Sequence, residues 1–449
     1  MTEDTVGRIG SVRRGRMLAV AAAGALALSA CAPSDSGDDA GNGGTGGTGG
    51  SAGAAGNATL TVWSWRVEDK AAYEKIFAAY EKKHPGVKVD FKAFKATEYN
   101  KILATGLAGS GGPDVPQVRS YGQLQTTVAS GSLVPLDGKV DVSSWDANAV
   151  ASAKGKSDGR LYAVPFARQT VQMFYNKSLF EKNGLQPPAT WADFMKANIT
   201  LRKTDVTPIA VGAKDDWTLP IVHEVLAAPR FGGKAFADAV RTGKTSFTDP
   251  AWVDSVKVVG DLKQYMPKNV TGVAQTDAQT LFSSGQAAMI PGGSFDLSVL
   301  QKPDPTLQIG VFQVPPPPGS PVGSSATTPG WADGNFAVSK KSKHQAQAME
   351  LVQWMSTPEF GQMVADEIKQ ISAVPGVTYS DPLLKQMNDA YTKNGSPYLL
   401  LTDFRYGAPS GTDLMGKGVQ QLLLGQKDAA GVSKDLDTGI KTWFKPSGS

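Results

Sequence analysis

One cysteine, Cys31, and three histidines are all that 449 residues contain. A single thiol excludes a disulfide framework and any multi-thiolate metal centre. So few histidines leave no imidazole-based zinc site. No apolar run reaches the length of about eighteen residues that a membrane-spanning helix needs. An excess of either charge is missing as well: Lys+Arg 45 against Asp+Glu 41 leaves a net charge of +4. No basic face for nucleic acid is implied. Catalytic signatures are absent too. His223-Glu224 begins like a zincin helix, but the residue four positions after His223 is Ala227, so the metal-binding pair does not form. There is no G-x-S-x-G elbow and no Walker loop. Gly44 to Gly49 fits G-x-G-x-x-G formally, yet no strand precedes it and no helix follows. Carboxylates are plentiful, so a glycosidase pair survives this elimination. No metal and no cofactor are expected.

What is present begins with an address. Met17 to Leu28 is an uninterrupted apolar or small run of twelve residues behind Arg13-Arg14-Gly15-Arg16. That is the pattern of a signal peptide, too short to remain as a transmembrane helix. Arg13-Arg14 leaves general secretory and twin-arginine export both open. The run ends in Leu28-Ser29-Ala30-Cys31, which resembles a bacterial lipobox. The resemblance implies a diacylated Cys31 as the mature N-terminus, and two acyl chains suffice for stable anchoring. Ala32 to Asn57 is Gly, Ser, Thr, Ala, Asp and Asn with one Pro, the composition of a flexible tether.

The body after the tether opens as βαβ. Leu60, Val62 and Ser64 alternate with Thr61, Trp63 and Trp65 as a strand would. Ala72, Tyr73, Ile76, Phe77 and Tyr80 then form one helical stripe, with Lys82 and Lys83 in the last turn and Pro85-Gly86 as the stop. Val87, Val89 and Phe91 alternate again. Thr190 with Asp193 has the form of a capping box, and Asp249-Pro250 and Thr357-Pro358 each set a cap before a first-turn proline. Strands and helices alternate throughout, which predicts an α/β fold with parallel sheets. Pro315 to Pro318 reads as a stiff segment between units.

Aromatic residues recur at strand ends and turns: Trp63, Trp65, Tyr121, Trp217, Phe295 and Trp331. Sugars have apolar C–H faces and a rim of hydroxyls, so flat rings suit the first and Asp, Asn, Gln and Arg the second.

Three stretches carry a family resemblance. The first runs Gly159-Arg160-Leu161-Tyr162-Ala163-Val164-Pro165 to Phe174-Tyr175-Asn176-Lys177-Ser178-Leu179-Phe180, then Thr190-Trp191 and Phe194. The second is Phe282-Ser283-Ser284-Gly285-Gln286-Ala287-Ala288-Met289 with Gly292-Gly293. The third is Gly330-Trp331 through Phe336-Ala337-Val338-Ser339-Lys340-Lys341-Ser342, extended by Thr357-Pro358-Glu359. Together they resemble the family-1 extracellular solute-binding proteins of the maltose-binding type, the receptors of ABC importers. The resemblance implies a two-lobed α/β fold of the type II periplasmic-binding kind, with crossing strands as a hinge. It further implies a non-enzymatic monomer that hands its solute to a membrane permease. The expected organisation is a leader over 1–30, a tether over 31–57, an N-terminal lobe of 58–167 plus 313–374, and a C-terminal lobe of 168–312 plus 375–449. Crossings are expected near Phe166 to Gln169, Gly310 to Pro315 and Val374 to Thr378. Phe295 falls where the maltose-binding pattern has a stacking tryptophan, and Asp114 where it has a proline-aspartate strand start. The expected ligand-binding set is Trp63, Trp65, Asp114, Tyr121, Arg168, Trp217, Phe295, Trp331, Asp333 and Phe404. A carbohydrate, plausibly an oligosaccharide, is the expected ligand. A polyamine or glycerophosphodiester, or a surface-anchored glycoside hydrolase, stays as an alternative.

Overall fold

The computed structural model describes residues 57–321 and 323–447. The leader, Cys31 and nearly all of the tether lie outside the described residues. Among the described residues twelve strands are formed: β1 (Ala58–Ser64), β2 (Val87–Ala93), β3 (Val115–Val118), β4 (Ala163–Pro165), β5 (Ala167–Asn176), β6 (Thr207–Ile209), β7 (Ala287–Gly293), β8 (Ile309–Phe312), β9 (Thr328–Ala332), β10 (Asn335–Ala337), β11 (Ile371–Ser372) and β12 (Gly395–Pro397). They make two sheets. The smaller has the order β2-β1-β3-β10-β4, and the larger β12-β9-β5-β7-β6, with β8 and β11 also paired to β5.

The smaller sheet is built as the periodicity predicts. The helix Lys70–Lys83 buries Tyr73, Ile76, Phe77 and Tyr80, a single stripe at helical spacing. Tyr73 stacks on Phe91 of β2 at 4.7 Å and meets Phe336 of β10 edge-on at 6.1 Å. Burying each such ring contributes on the order of 1.5–3 kcal/mol. Phe336 thereby ties a strand from late in the sequence to the first βαβ unit. The larger sheet is packed on both faces. One face carries Val171, Met173, Met289 and Trp331 against the helix Leu219–Phe231 and Trp252. The other carries Phe174, Ile290 and Val311 against Leu384 and Met387 of the helix Pro382–Asn394. Local punctuation holds as predicted: Thr190 and Asp193 form a complete capping box, and the Asp249 and Thr357 side chains cap the helices that open with Pro250 and Pro358.

Two expectations need correcting. Parallel pairing is confined to β1 with β2 and β3, β6 with β7, and β9 with β12. The long strand β5 runs antiparallel to β7, β8, β9 and β11, so it leads away from the crossing while β7, β8 and β9 lead back toward it. The second crossing is also later than Gly310 to Pro315. β8 and β9 both pair with β5, so the proline run that joins them begins and ends in the larger sheet and does not lead into the smaller one. The chain passes over between Ala332 and Asn335. There it meets the first crossing: Asp333 N–H donates to Ala167 O at 2.9 Å, Phe166 N–H to Gly334 O at 3.3 Å, and Ala373 N–H to Phe166 O at 3.0 Å. Three passages of chain therefore lie side by side at Phe166.

Candidate functional site

In open sheets with parallel strands, ligands lie beyond the carboxyl ends of those strands. The smaller sheet ends there in Trp65-Arg66 after β1 and Arg119-Ser120-Tyr121 after β3. The larger sheet ends there in Ser294-Phe295 after β7, Asp333 after β9 and Tyr398 after β12. These ends face one another across the crossings, and hydrogen bonds join them. Arg66 Nη2 donates to Phe295 O at 3.3 Å. The Tyr121 hydroxyl accepts from Ala332 N–H at 3.1 Å. Arg405 Nη1 donates to Gln123 Oε1 at 3.3 Å. A side-chain relay links the lobes through Gln370, whose Nε2 donates to Asp69 (3.2 Å) and whose Oε1 accepts from Gln169 Nε2 (2.9 Å). Gln169 Oε1 in turn accepts from Ser294 Oγ at 2.6 Å.

The aromatic wall is Phe295, Trp331 and Tyr398. The Trp331 ring lies 6.3 Å from Phe295 and 5.2 Å from Tyr398, edge-on to both. Its Nε1–H is buried and has no partner in the protein. Opposite stand cations. The Arg119 guanidinium lies 3.8 Å over the Trp65 ring. Burial lowers Arg119 to about 10; Asp333 opposes that shift and the charge of Arg405 adds to it. Burial also lowers Arg405, against Tyr398 and Asp333. Arg66 moves the other way: burial pulls it down, but its ion pairs with Asp69 (2.7 Å) and Glu68 (3.0 Å) outweigh that. Asp296, beside Phe295, is pushed up to about 6 by burial, which its bonds from Gly293 N–H and Gln279 Nε2 only partly offset.

Of the ten expected residues, Trp65, Phe295, Trp331 and Asp333 come together here, and Tyr121 supplies a bond between the lobes. Tyr121 adopts φ 55, a left-handed geometry that an aromatic residue adopts at a cost. Trp217 is 44 % exposed in a turn after β6, at the same edge of the larger sheet but outside the group. The other four do not join it. Trp63 lies one step back along β1 from the strand end and is packed against Phe94 at 5.0 Å and the helix surface at Gly106. Asp114 sits at the amino end of β3, where it accepts from Thr61 N–H at 2.8 Å and Ser342 Oγ at 2.5 Å and lines a separate cavity of about 180 Å³. Arg168 faces Tyr391 and Asp146 on the side of β5 away from Trp331, since its neighbour Gln169 is the register partner of Trp331. Phe404 is fully buried between Phe247 and Phe444. Sequence reasoning missed Arg66, Arg119, Tyr398 and Arg405; the signal for the first two was their place within two residues of a strand end. Among the described residues no group of three or more His, Cys, Asp and Glu is placed to hold a metal ion. A larger surface cavity, about 600 Å³, opens at the far end of β5 beside Asn176, Thr280 and Gln308 and has no aromatic lining.

The family model described as bacterial extracellular solute-binding protein matches residues 63–362. The chain is 26 % identical over 332 residues to the multiple sugar-binding protein of Streptococcus mutans, covering 71 % of this chain and 76 % of that one. It is 23 % identical over 337 residues to the melibiose/raffinose/stachyose-binding protein MelE of Bacillus subtilis, covering 71 % and 75 %. The solved structure of the bacterial solute receptor AcbH, described as preferring β-D-galactopyranose, superposes with a TM-score of 0.74 at 23 % identity, covering 87 % of this chain and all of that one. That likeness shows the two-lobed type II fold.

Proposed function

The chain belongs to the bacterial extracellular solute-binding proteins, and from that membership we propose that it is the receptor of an ABC importer whose solute is a carbohydrate held between the lobes. One observation carries the reading. Phe295, Trp331 and Tyr398 form an apolar wall at the end of the larger sheet, with Asp333 beside it and with Arg66 and Arg119 reaching the same region from the smaller sheet. A sugar ring needs that pairing of a flat apolar surface with a rim of donors and acceptors. The unpartnered Trp331 Nε1–H adds a buried donor for a hydroxyl. The named sugar binders among its relatives support the same class of ligand.

The lobes divide as 58–166 plus 334–370 against 167–333 plus 371–447, with closure by bending at the crossings beside Phe166. The protein is a monomer that binds without turnover, passes its solute to a permease, and is held on the extracytoplasmic side of the cell membrane by a lipid on Cys31. A thermal-shift screen of mono- and oligosaccharides tests the ligand, since a tight ligand raises the melting temperature by mass action. If no sugar shifts it, the carbohydrate assignment falls. Products accumulating in the same mixtures would instead indicate a hydrolase. Cys31→Ala should release the protein from membranes, and retention would remove the lipid anchor from the proposal.

A further inference from the structure

We propose that the solute carries an anionic group, a carboxylate or a phosphate ester, seated between the guanidiniums of Arg119 and Arg405. The inference rests on the carbohydrate reading of this interface and narrows its solute class.

The first observation is a contrast among the arginines. Arg66, Arg160, Arg168, Arg230 and Arg241 each have a carboxylate within 4.0 Å. Arg202 bonds Gln264 at the exposed surface. Arg119 and Arg405 have only neutral partners. Arg119 Nε donates to Asn100 Oδ1 at 3.3 Å and Nη2 to Ala96 O at 3.2 Å. Arg405 Nε donates to Thr412 Oγ1 at 2.8 Å and Nη1 to Gln123 Oε1 at 3.3 Å. Removing a guanidinium from water without a counter-charge is unfavourable, and here two of them share one region.

The second observation is their placement. One arises from each lobe: Arg119 follows β3, and Arg405 follows the helix Leu399–Thr402. The backbone of Arg405 packs directly on Gly122, three residues beyond Arg119. Each senses the charge of Asp333, and Arg119 senses that of Arg405. Asp333 is thus one carboxylate shared by two cations. Asp413 also acts on Arg405 but is solvent-exposed. Arg66 contributes no surplus, because Glu68 and Asp69 already neutralise it.

The third observation is what the existing bonds leave over. They fix the Nε edge of each guanidinium and leave Arg119 Nη1 and Arg405 Nη2 without a protein partner. Neither atom is among the buried unpartnered ones, so both remain accessible. A pre-oriented guanidinium with a free donor matches the oxygens of a carboxylate or phosphate. An anion arriving between lobes would supply the second negative charge that Asp333 alone does not give this pair, and would do so only when the lobes are together.

The test is calorimetric titration of the full chain with a uronate-containing disaccharide, its neutral counterpart and a hexose phosphate, at low and moderate salt. The expected result is that an acidic probe binds at least about tenfold more tightly than the neutral one, with an advantage that shrinks as salt rises. Arg119→Gln and Arg405→Gln should each cost the acidic probe about tenfold more affinity than they cost the neutral sugar; Arg405→Lys should restore part of the loss. Tight binding of the phosphate alone would identify a phosphate ester as the anion, and of the uronate alone a carboxylate. Equal or tighter binding of the neutral sugar overturns this inference and leaves the receptor reading intact. If neither acidic nor neutral sugars bind, the carbohydrate reading fails and this inference with it. The comparison of probes on the parent protein decides the matter even if a variant does not fold.

Discussion

Replacing Gly334 by alanine should damage the crossing between lobes by an amount that can be worked out in two parts. Gly334 has φ +82, in the left-handed region where an L side chain costs about 1–2 kcal/mol. A Cβ there would also fall inside the van der Waals shell of Phe166 Cε1, with Trp65 Cη2 at 3.0 Å and Gln117 Nε2 at 3.2 Å. Phe166 is 1 % exposed and Trp65 4 %, so neither ring has space to yield, and overpacking of this kind costs about 1–3 kcal/mol. The sum is about 2–5 kcal/mol. Gly159 supplies the control. Its φ is +69 and nothing lies within 4 Å of its added Cβ, so Gly159→Ala should show the torsional part alone, about 1–2 kcal/mol. Urea unfolding of both variants, compared at matched m-values, separates the parts. Gly334→Ala should be the less stable by about 1–3 kcal/mol and should weaken sugar binding, because Asp333 and Trp65 move with it. Equal destabilisation of the two variants would refute the claim that the crossing is sterically closed at this point.

Three further outcomes follow from buried groups. His223 is fully buried, with Nε2 2.7 Å from Ser255 Oγ, and burial lowers it to about 3. The unfolded chain then binds the extra proton first, so stability is complete above the ordinary histidine value near 6.5 and falls as pH drops toward 3, by about 2 kcal/mol at pH 5. His223→Gln should flatten that acid limb in unfolding curves between pH 7 and 4; an unchanged limb would mean the histidine is not held neutral. Glu224 is 1 % exposed, both its carboxylate oxygens lack a partner in the protein, and burial raises it well above the usual range. Its folded form therefore keeps a proton that the unfolded chain releases, and stability falls as pH rises above about 4.5. Glu224→Leu should stabilise the protein at pH 7 by about 1–3 kcal/mol, and a less stable variant would show that the carboxyl has a partner after all. At the proposed site, Phe295→Ala should lose roughly ten- to hundredfold in sugar affinity. Trp331→Phe, which removes the buried Nε1–H together with part of the indole ring, should lose at least about tenfold. Parent-like titrations for both would move the sugar elsewhere.

The elements that the sequence reveals are those whose signals are local. The stripe Tyr73, Ile76, Phe77, Tyr80 needs only the helical period, and the Thr190–Asp193 box only a spacing of three. The second crossing is not local. The proline run has the composition of a boundary, but β9, five residues long, belongs to the larger sheet because β5 and β12 flank it, and both partners come from distant parts of the chain. The missed site residues have a related cause at finer scale. Trp63 was preferred for its ring, yet β1 turns that ring to the helix side, and the residue that reaches the other lobe is Arg66, beyond the strand end. The expected Phe404 fills the core, while its neighbour Arg405 is the residue that faces Gln123 and Asp333. The expected Arg168 faces Tyr391 and Asp146, while its neighbour Gln169 carries the relay through Gln370 to Ser294. In both pairs the residue that reaches the interface is one further on. On β5 a shift of one reverses the direction a side chain takes, and the phase at Arg168 and Gln169 is set by register partners such as Trp331 opposite Gln169. Chemistry-bearing residues can thus be read from the sequence to within a neighbour or two, while the side they face is decided by pairings some 160 residues away along the chain.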